Sequence, residues 1–184
     1  MISREFMLKM LRKRGFGPKW MMKLEYLLCN GSVGVRINDT NNDYFIAGKG
    51  VRQGDPASPL LFNLVTDVFT RMLIKVVSNN LIFGFFPPSN PAGVISMQYA
   101  HDILLFLDKN LDHARNLKSI LSCFEHISSM RIKFHKCDLV NIDRDEAIIF
   151  AQSLGCKISA FPIKNLGAPL HYSKLRKEVL QPTV

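Results

Sequence analysis

Residues 48–55, Gly48-Lys49-Gly50-Val51-Arg52-Gln53-Gly54-Asp55, gather two cations, an amide and a carboxylate within one glycine-rich run. A loop containing Gly50 and Gly54 at the mouth of a helix can bring bare backbone close to a ligand. Asp55 can cap or brace the turn instead of meeting that ligand. A second short polar run, Tyr99-Ala100-His101-Asp102, interrupts two apolar stretches. A third set of residues, Cys123-x-x-His126 and His135-x-Cys137, has the atom types of a zinc site. Its pairs flank a helix end and a strand and do not sit on tight turns, so buried, reduced thiols are the expectation for Cys29, Cys123, Cys137 and Cys156.

The glycine run leads into a long helix. Ser58 before Pro59 reads as an N-cap followed by proline at the first helical position. Apolar pairs then recur every four residues: Leu60 and Leu61, Leu64 and Val65, Val68 and Phe69, Met72 and Leu73, Val76 and Val77. A four-residue step over-rotates a 3.6-residue helix by roughly 40° each turn, so the apolar surface sweeps around the cylinder. A pillar from Pro59 to Val77, buried on several sides and ending near Ser78-Asn79-Asn80, is predicted.

Other elements surround the pillar. Ser3 to Arg14 reads as a helix with Phe6, Met7, Met10 and Leu11 inward, ended by Gly15-Phe16-Gly17. Pro18 restarts a second helix with Trp20, Met21, Leu24, Leu27 and Leu28 as its stripe, Trp20 serving as core. Asn30-Gly31 caps it. Val33, Val35 and Ile37, then Tyr44-Phe45-Ile46 across a polar turn, predict a hairpin that feeds the glycine run. Val94 to Gln98 and Ile103 to Leu107 read as strands, and Asn110 to Ser129 as a helix with Leu111, Ala114, Leu117, Leu121 and Phe124 inward. Strands are expected at Arg131 to Phe134 and Leu139-Val140, a helix at Asp145 to Leu154, and a last strand and turn at Phe161 to Gly167. A basic helix is expected to start at Tyr172. Phe83 to Pro91 reads as loop. This order is that of an α+β chain forming a single domain over residues 1–184.

Lys plus Arg number 24 against 15 for Asp plus Glu, a formal charge of +9. That excess favours a polyanionic partner through phosphate contacts. No apolar run approaches the roughly 20 residues of a membrane span, and Met1 to Arg14 lacks the continuous apolar centre of a signal peptide. A cytoplasmic or nuclear protein, not secreted, is the expectation.

The run GVRQGDPASPLLFNLVTDVF resembles the loop-and-helix motif of reverse transcriptases from non-LTR (LINE-type) retrotransposons, the plant-type group in particular. MQYAHDILLFL is similar to their catalytic hairpin, MRIKFHKCDLV to the segment after it, and FPIKNLGAPLHYSKLRKEVLQP to the primer-grip region, with Asn165-Leu166-Gly167 as its turn. The resemblance implies a polymerase palm, an antiparallel sheet backed by helices, with fingers, thumb and the strand of an upstream catalytic aspartate outside these residues. It implies that Gln53 and Gly54, in a loop that Arg52 also matches, face the templating base and incoming nucleotide, and that Lys136 helps the leaving pyrophosphate; Lys49 beside the loop is a candidate phosphate contact. It also implies two Mg²⁺ ions held by carboxylates.

Where the family carries Tyr-Ala-Asp-Asp, this chain has Tyr99-Ala100-His101-Asp102. His101 replaces a metal-binding carboxylate, leaving Asp102 as the remnant ligand; a nitrogen donor suits Zn or Mn better than Mg. An RNA-directed DNA polymerase by descent, catalytically inactive, is therefore expected, with RNA or an RNA–DNA hybrid as partner. The alternatives are a non-catalytic RNA-binding module and a transposon remnant without function. A pillar that lacks some of its usual neighbours would expose an apolar patch and favour self-association.

Overall fold

The computed structural model describes residues 2–29, 32–34, 36–38, 40–41, 45–46, 56–85, 93–99, 102–140, 143–165 and 168–171. The chain divides into two compact units, residues 1–72 with 121–132, and residues 73–120 with 133–184.

In the first unit, helix α1 spans Arg4–Lys13, with Ser3 as its N-cap. The Ser3 hydroxyl accepts from the Phe6 N–H at 3.3 Å, occupying one of the unpaired first-turn donors. Met7, Met10 and Leu11 are buried, as the periodicity predicts. Gly15 ends the helix with φ +82°, a left-handed position that glycine takes without a Cβ penalty. Helix α2 runs Pro18–Cys29. Met21 and Leu28 are buried, but Trp20 is 62% exposed and Leu27 is exposed as well. This corrects the wide stripe and the core tryptophan expected from sequence: only Met21 and Leu28 are buried, with Leu24 half-buried between them. Lys23 extends over the Trp20 ring, 5.8 Å from its centroid.

Short strands follow: β1 (Ser32–Val33), β2 (Arg36–Ile37), β3 (Thr40–Asn41) and β4 (Phe45–Ile46). β1 pairs antiparallel with β4 and β2 with β3, the hairpin expected from the alternation. The glycine run that follows lies outside the described residues.

Helix α3 spans Ala57–Ser78. It begins one residue before Ser58, so Ser58 is helical and not the cap, while Pro59 still falls in the first turn, where no intrahelical N–H partner is lost. Leu61, Val65, Phe69, Leu73 and Val76 form its buried face. Leu60 and Ile74 are exposed, so the pillar is one deep stripe with half-buried flanks and is not enclosed on all sides. Within the first unit, Phe69 packs against Phe124, ring centroids 5.1 Å apart and planes at 46°.

In the second unit, Asn80 in the turn after α3 is in the left-handed region, φ +56°, and Ile82 is fully buried. A Cβ at Gly84 would lie 2.5 Å from the Val94 carbonyl oxygen, so only glycine permits the Phe85–Val94 bridge beside it. β5 (Ser96–Tyr99) and β6 (Asp102–Leu105) pair antiparallel with Tyr99 opposite Asp102. Helix α4 spans Leu111–Ser128. The Asn110 side chain accepts from the N–H groups of Asp112 and His113 at its start, and Ala114, Leu117, Leu121 and Phe124 are buried as predicted.

Arg131 to Phe134 is not a strand. The chain is irregular there and coils into a 3₁₀ turn at Phe134–Lys136. β7 (Asp138–Leu139), α5 (Arg144–Leu154) and β8 (Lys157–Ile158) form a small β-α-β unit whose strands pair in parallel. Gly155, φ +77°, closes α5. β9 (Ile163–Asn165) and β10 (Ala168–Leu170) form an antiparallel hairpin where one strand and a turn were expected. Among the described residues the strands pair in twos, antiparallel except for β7 with β8. Mixed helix and small antiparallel sheet is the α+β composition predicted, and the parallel pair was not foreseen.

Candidate nucleic-acid interface

Of the residues singled out by sequence, Lys49, Arg52, Gln53, Gly54 and His101 lie outside the described residues; Asp102 and Lys136 lie within them, both in the second unit. Asp102 is the first residue of β6. Residues directly opposite in an antiparallel pair share a face, so Asp102 stands beside Tyr99, with Met97 and Leu104 next along that face. Tyr99 is 67% exposed and Asp102 is exposed too, which puts the polar end of the hairpin toward solvent. Lys136 is the last residue of the 3₁₀ turn and is exposed. Its N–H donates to the Lys133 carbonyl at 2.8 Å, which fixes the backbone and leaves the ammonium in water.

The donor set does not fit a pair of Mg²⁺ ions. Magnesium requires hard oxygens in octahedral array, and the 99–102 run contributes one carboxylate and one imidazole. Among the described residues no three His, Cys, Asp or Glu side chains gather to hold a metal ion. Cys123 is exposed, against the expectation of a buried thiol, and Cys137 and Cys156 are half-buried.

Carboxylates that read as surface or caps take part in specific pairs. Asp67 accepts from Arg71 at 2.8 Å and from Arg14, whose guanidinium also reaches the Leu64 carbonyl at 3.2 Å. Hydrogen bonds from Arg71 and then Arg14 hold the Asp67 carboxyl below its usual range. Asp108 meets His113 Nδ1 at 2.7 Å, and that imidazole packs edge-on against Phe83. Asp138 accepts from Lys157 at 3.2 Å and from Ser159, and its carboxyl is held low by the Ser159 bond first. Arg71 and His113 are local partners, but Arg14 lies 53 residues from Asp67 and Ser159 lies 21 from Asp138, and no local spacing announces those. In the first unit an open groove of about 1120 Å³ runs between α1, α3 and the end of α4, lined among others by Phe6, Met10 and Val68 and by the cations Lys13, Arg14 and Arg71.

The family profile of reverse transcriptase (RNA-dependent DNA polymerase) matches residues 2–170. The chain belongs to the reverse transcriptase family. It is 28% identical over 112 residues to the "Retrovirus-related Pol polyprotein from type-2 retrotransposable element R2DM" of Drosophila melanogaster, covering 61% of this chain and 10% of that one. It is 25% identical over 135 residues to the "Transposon TX1 uncharacterized 149 kDa protein" of Xenopus laevis, covering 73% of this chain and 10% of the relative. This reverse transcriptase segment thus spans about a tenth of the curated relatives it matches. No helix among its described residues is long and apolar enough to cross a membrane.

Proposed function

We propose that the chain is palm sequence of a LINE-type, non-LTR retrotransposon reverse transcriptase, of the plant-type group, whose 99–102 turn no longer supports two-metal nucleotidyl transfer. The observation that carries this is His101 in place of a carboxylate, within a chain matched by the family over residues 2–170. In-line transfer relies on carboxylates to hold both ions. An imidazole brings no negative charge, and its nitrogen is a poor magnesium ligand. The nucleic-acid contacts are assigned to Lys49, Arg52, Gln53, Gly54 and Lys136, with RNA or an RNA–DNA hybrid as the partner.

The test is Mn²⁺ binding followed by paramagnetic broadening of the Tyr99–Asp102 resonances. Weak, non-saturating broadening is expected for the natural sequence, and at least tenfold tighter binding for His101→Asp. Equal, tight binding in both would overturn the loss of the site. So would template-dependent DNA synthesis by the natural chain that Asp102→Asn abolishes.

A further inference from the structure

Cys137 and Cys156 belong to no part of the nucleic-acid chemistry, and the topology puts them side by side. In the β7–β8 pair, Asp138 is opposite Lys157 and Leu139 opposite Ile158. One step back along both strands is Cys137 opposite Cys156. The Lys157 N–H donates to the Cys137 carbonyl at 3.0 Å, which holds this register at the strand entrance. Paired strands lie about 4.8 Å apart, inside the Cα separation of about 4.4–6.8 Å that a disulfide spans. Both thiols are half-buried and free, and the Cys137 thiol donates to the Lys133 carbonyl at 3.5 Å. Cys137 ends the 3₁₀ turn that carries Lys136, and Cys156 follows the Gly155 cap of α5.

We propose that Cys137 and Cys156 are a reactive dithiol that exchanges with small disulfides of the glutathione class and closes to an intramolecular disulfide, tying the Lys136 turn to the end of α5. The Cys137 thiolate attacks one sulfur of the small disulfide, whose S–S bond breaks. A mixed disulfide forms and the departing thiolate takes up a proton. The Cys156 thiol then gives its proton to solvent and attacks the Cys137 sulfur, expelling the second small thiol. Two protein thiols are oxidised and one small disulfide is reduced to two thiols.

The surroundings suit this order of events. Stabilisation of the Cys137 thiolate by the neighbouring Cys156 thiol lowers the Cys137 thiol to about 7, against the opposing effects of burial and Asp138. The same pairing, together with burial, pushes the Cys156 thiol up. Lys118 from α4 and Lys157 from β8 supply positive charge to the pair. Lys118 is itself fixed, donating to the Leu154 carbonyl at 2.6 Å and lying 3.1 Å from the Phe134 ring centroid. At pH 7 an ordinary cysteine is about 3% thiolate, and a thiol near 7 about half. The lower basicity gives back roughly fivefold of that fifteenfold gain, leaving about threefold in the rate of first attack. The second step is the stronger discriminator, because it is intramolecular only for this pair.

The experiment treats the folded chain with oxidised glutathione at pH 7 and maps all four cysteines by non-reducing peptide mass spectrometry. The expected result is a Cys137–Cys156 linked peptide in high yield, with Cys123 stopping at the mixed disulfide. Cys156→Ser is expected to trap a persistent adduct on Cys137, and Cys137→Ser to slow reaction at Cys156 at least tenfold. Stable glutathione adducts on both cysteines without a link would overturn the proposal. Bridges to Cys123 or Cys29 in equal yield would also overturn it. The mapping on the natural sequence decides the matter even where a serine variant folds poorly.

Discussion

Asp67 shows how a single side chain can be visible in sequence and its role hidden. Its bond to Arg71 follows from an i,i+4 spacing on α3, but Arg14 arrives from α1, and no local pattern predicts that. Asp67 is 38% exposed on its side chain and Arg14 25%, so water screens much of the attraction. Removing the carboxylate by Asp67→Asn is expected to cost about 1 kcal/mol or less at pH 7. The folded carboxyl is held below the usual value of about 3.9. Its contribution is therefore complete above that value and is lost as pH falls through the lower, folded value. Urea melts at pH 7 should separate the natural chain from the variant, and the two curves should converge below about pH 3. A gap that persists undiminished in acid would mean that Asp67 acts by packing and not by charge. Asp102 and Lys136 are proposed for the site on motif order alone. The Cys137–Cys156 pair was not legible in the sequence, since it depends on a parallel register between strands separated by a whole helix.

At the scale of elements, the helices were readable and the strands much less so. Periodicity near 3.6 placed α1 and α4 and their buried residues, because such a stripe has no other stable use than facing a core. On α2 the same method chose too many residues: Trp20 and Leu27 each sit beside a stripe member, and an apolar type alone does not say which side the core lies on. Arg131 to Phe134 alternates like a strand, yet the Glu125 carboxylate captures the Ile132 N–H at 2.5 Å, and the Lys136 N–H closes a turn on Lys133. Those bonds take the donors that a ladder would need. For α3 the four-residue pairing suggested burial on several sides, and one face won. Phe69, 2% exposed and set against Phe124, should therefore be far costlier to truncate than Ile74, which is 57% exposed. Phe69→Ala is expected to lower stability by about 3–5 kcal/mol through lost burial and a residual cavity, and Ile74→Ala by about 0.5 kcal/mol or less. Denaturant titrations of the two variants measure this. Comparable losses at both sites would mean that Ile74 is covered in solution, by a second copy of the chain for instance.

For the whole molecule, the +9 charge is a less direct guide to nucleic-acid binding than it looks, because many of the cations are already partnered. Lys9 pairs with Glu5, Arg115 with Asp112, Lys157 with Asp138, and Arg14 and Arg71 share Asp67. Lys109 sits between Asp143 and Glu146, which raise its pKa, Asp143 most. A cation that already neutralises a carboxylate releases few counterions when a phosphate approaches. The number of phosphates engaged should thus be small and assignable, with Lys49, Arg52 and Lys136 as the contacts. Single-stranded RNA costs a slope of about 0.7 per phosphate in a plot of log K against log salt, and duplex about 0.9. Three contacts would weaken binding by about thirtyfold between 50 and 200 mM salt. Lys49→Ala, Arg52→Ala and Lys136→Ala should each flatten the slope by about 0.7–0.9. Gln53→Ala should lower affinity at every salt concentration and leave the slope alone, because an amide displaces no counterion. Lys109→Ala is the control, expected to change neither quantity. Fluorescence titrations of a labelled RNA and an RNA–DNA hybrid at four salt concentrations provide the numbers. A slope that is the same in the natural chain and all three lysine and arginine variants would place the polyanion elsewhere on the surface. An affinity indifferent to salt would remove phosphate contact as the basis of binding.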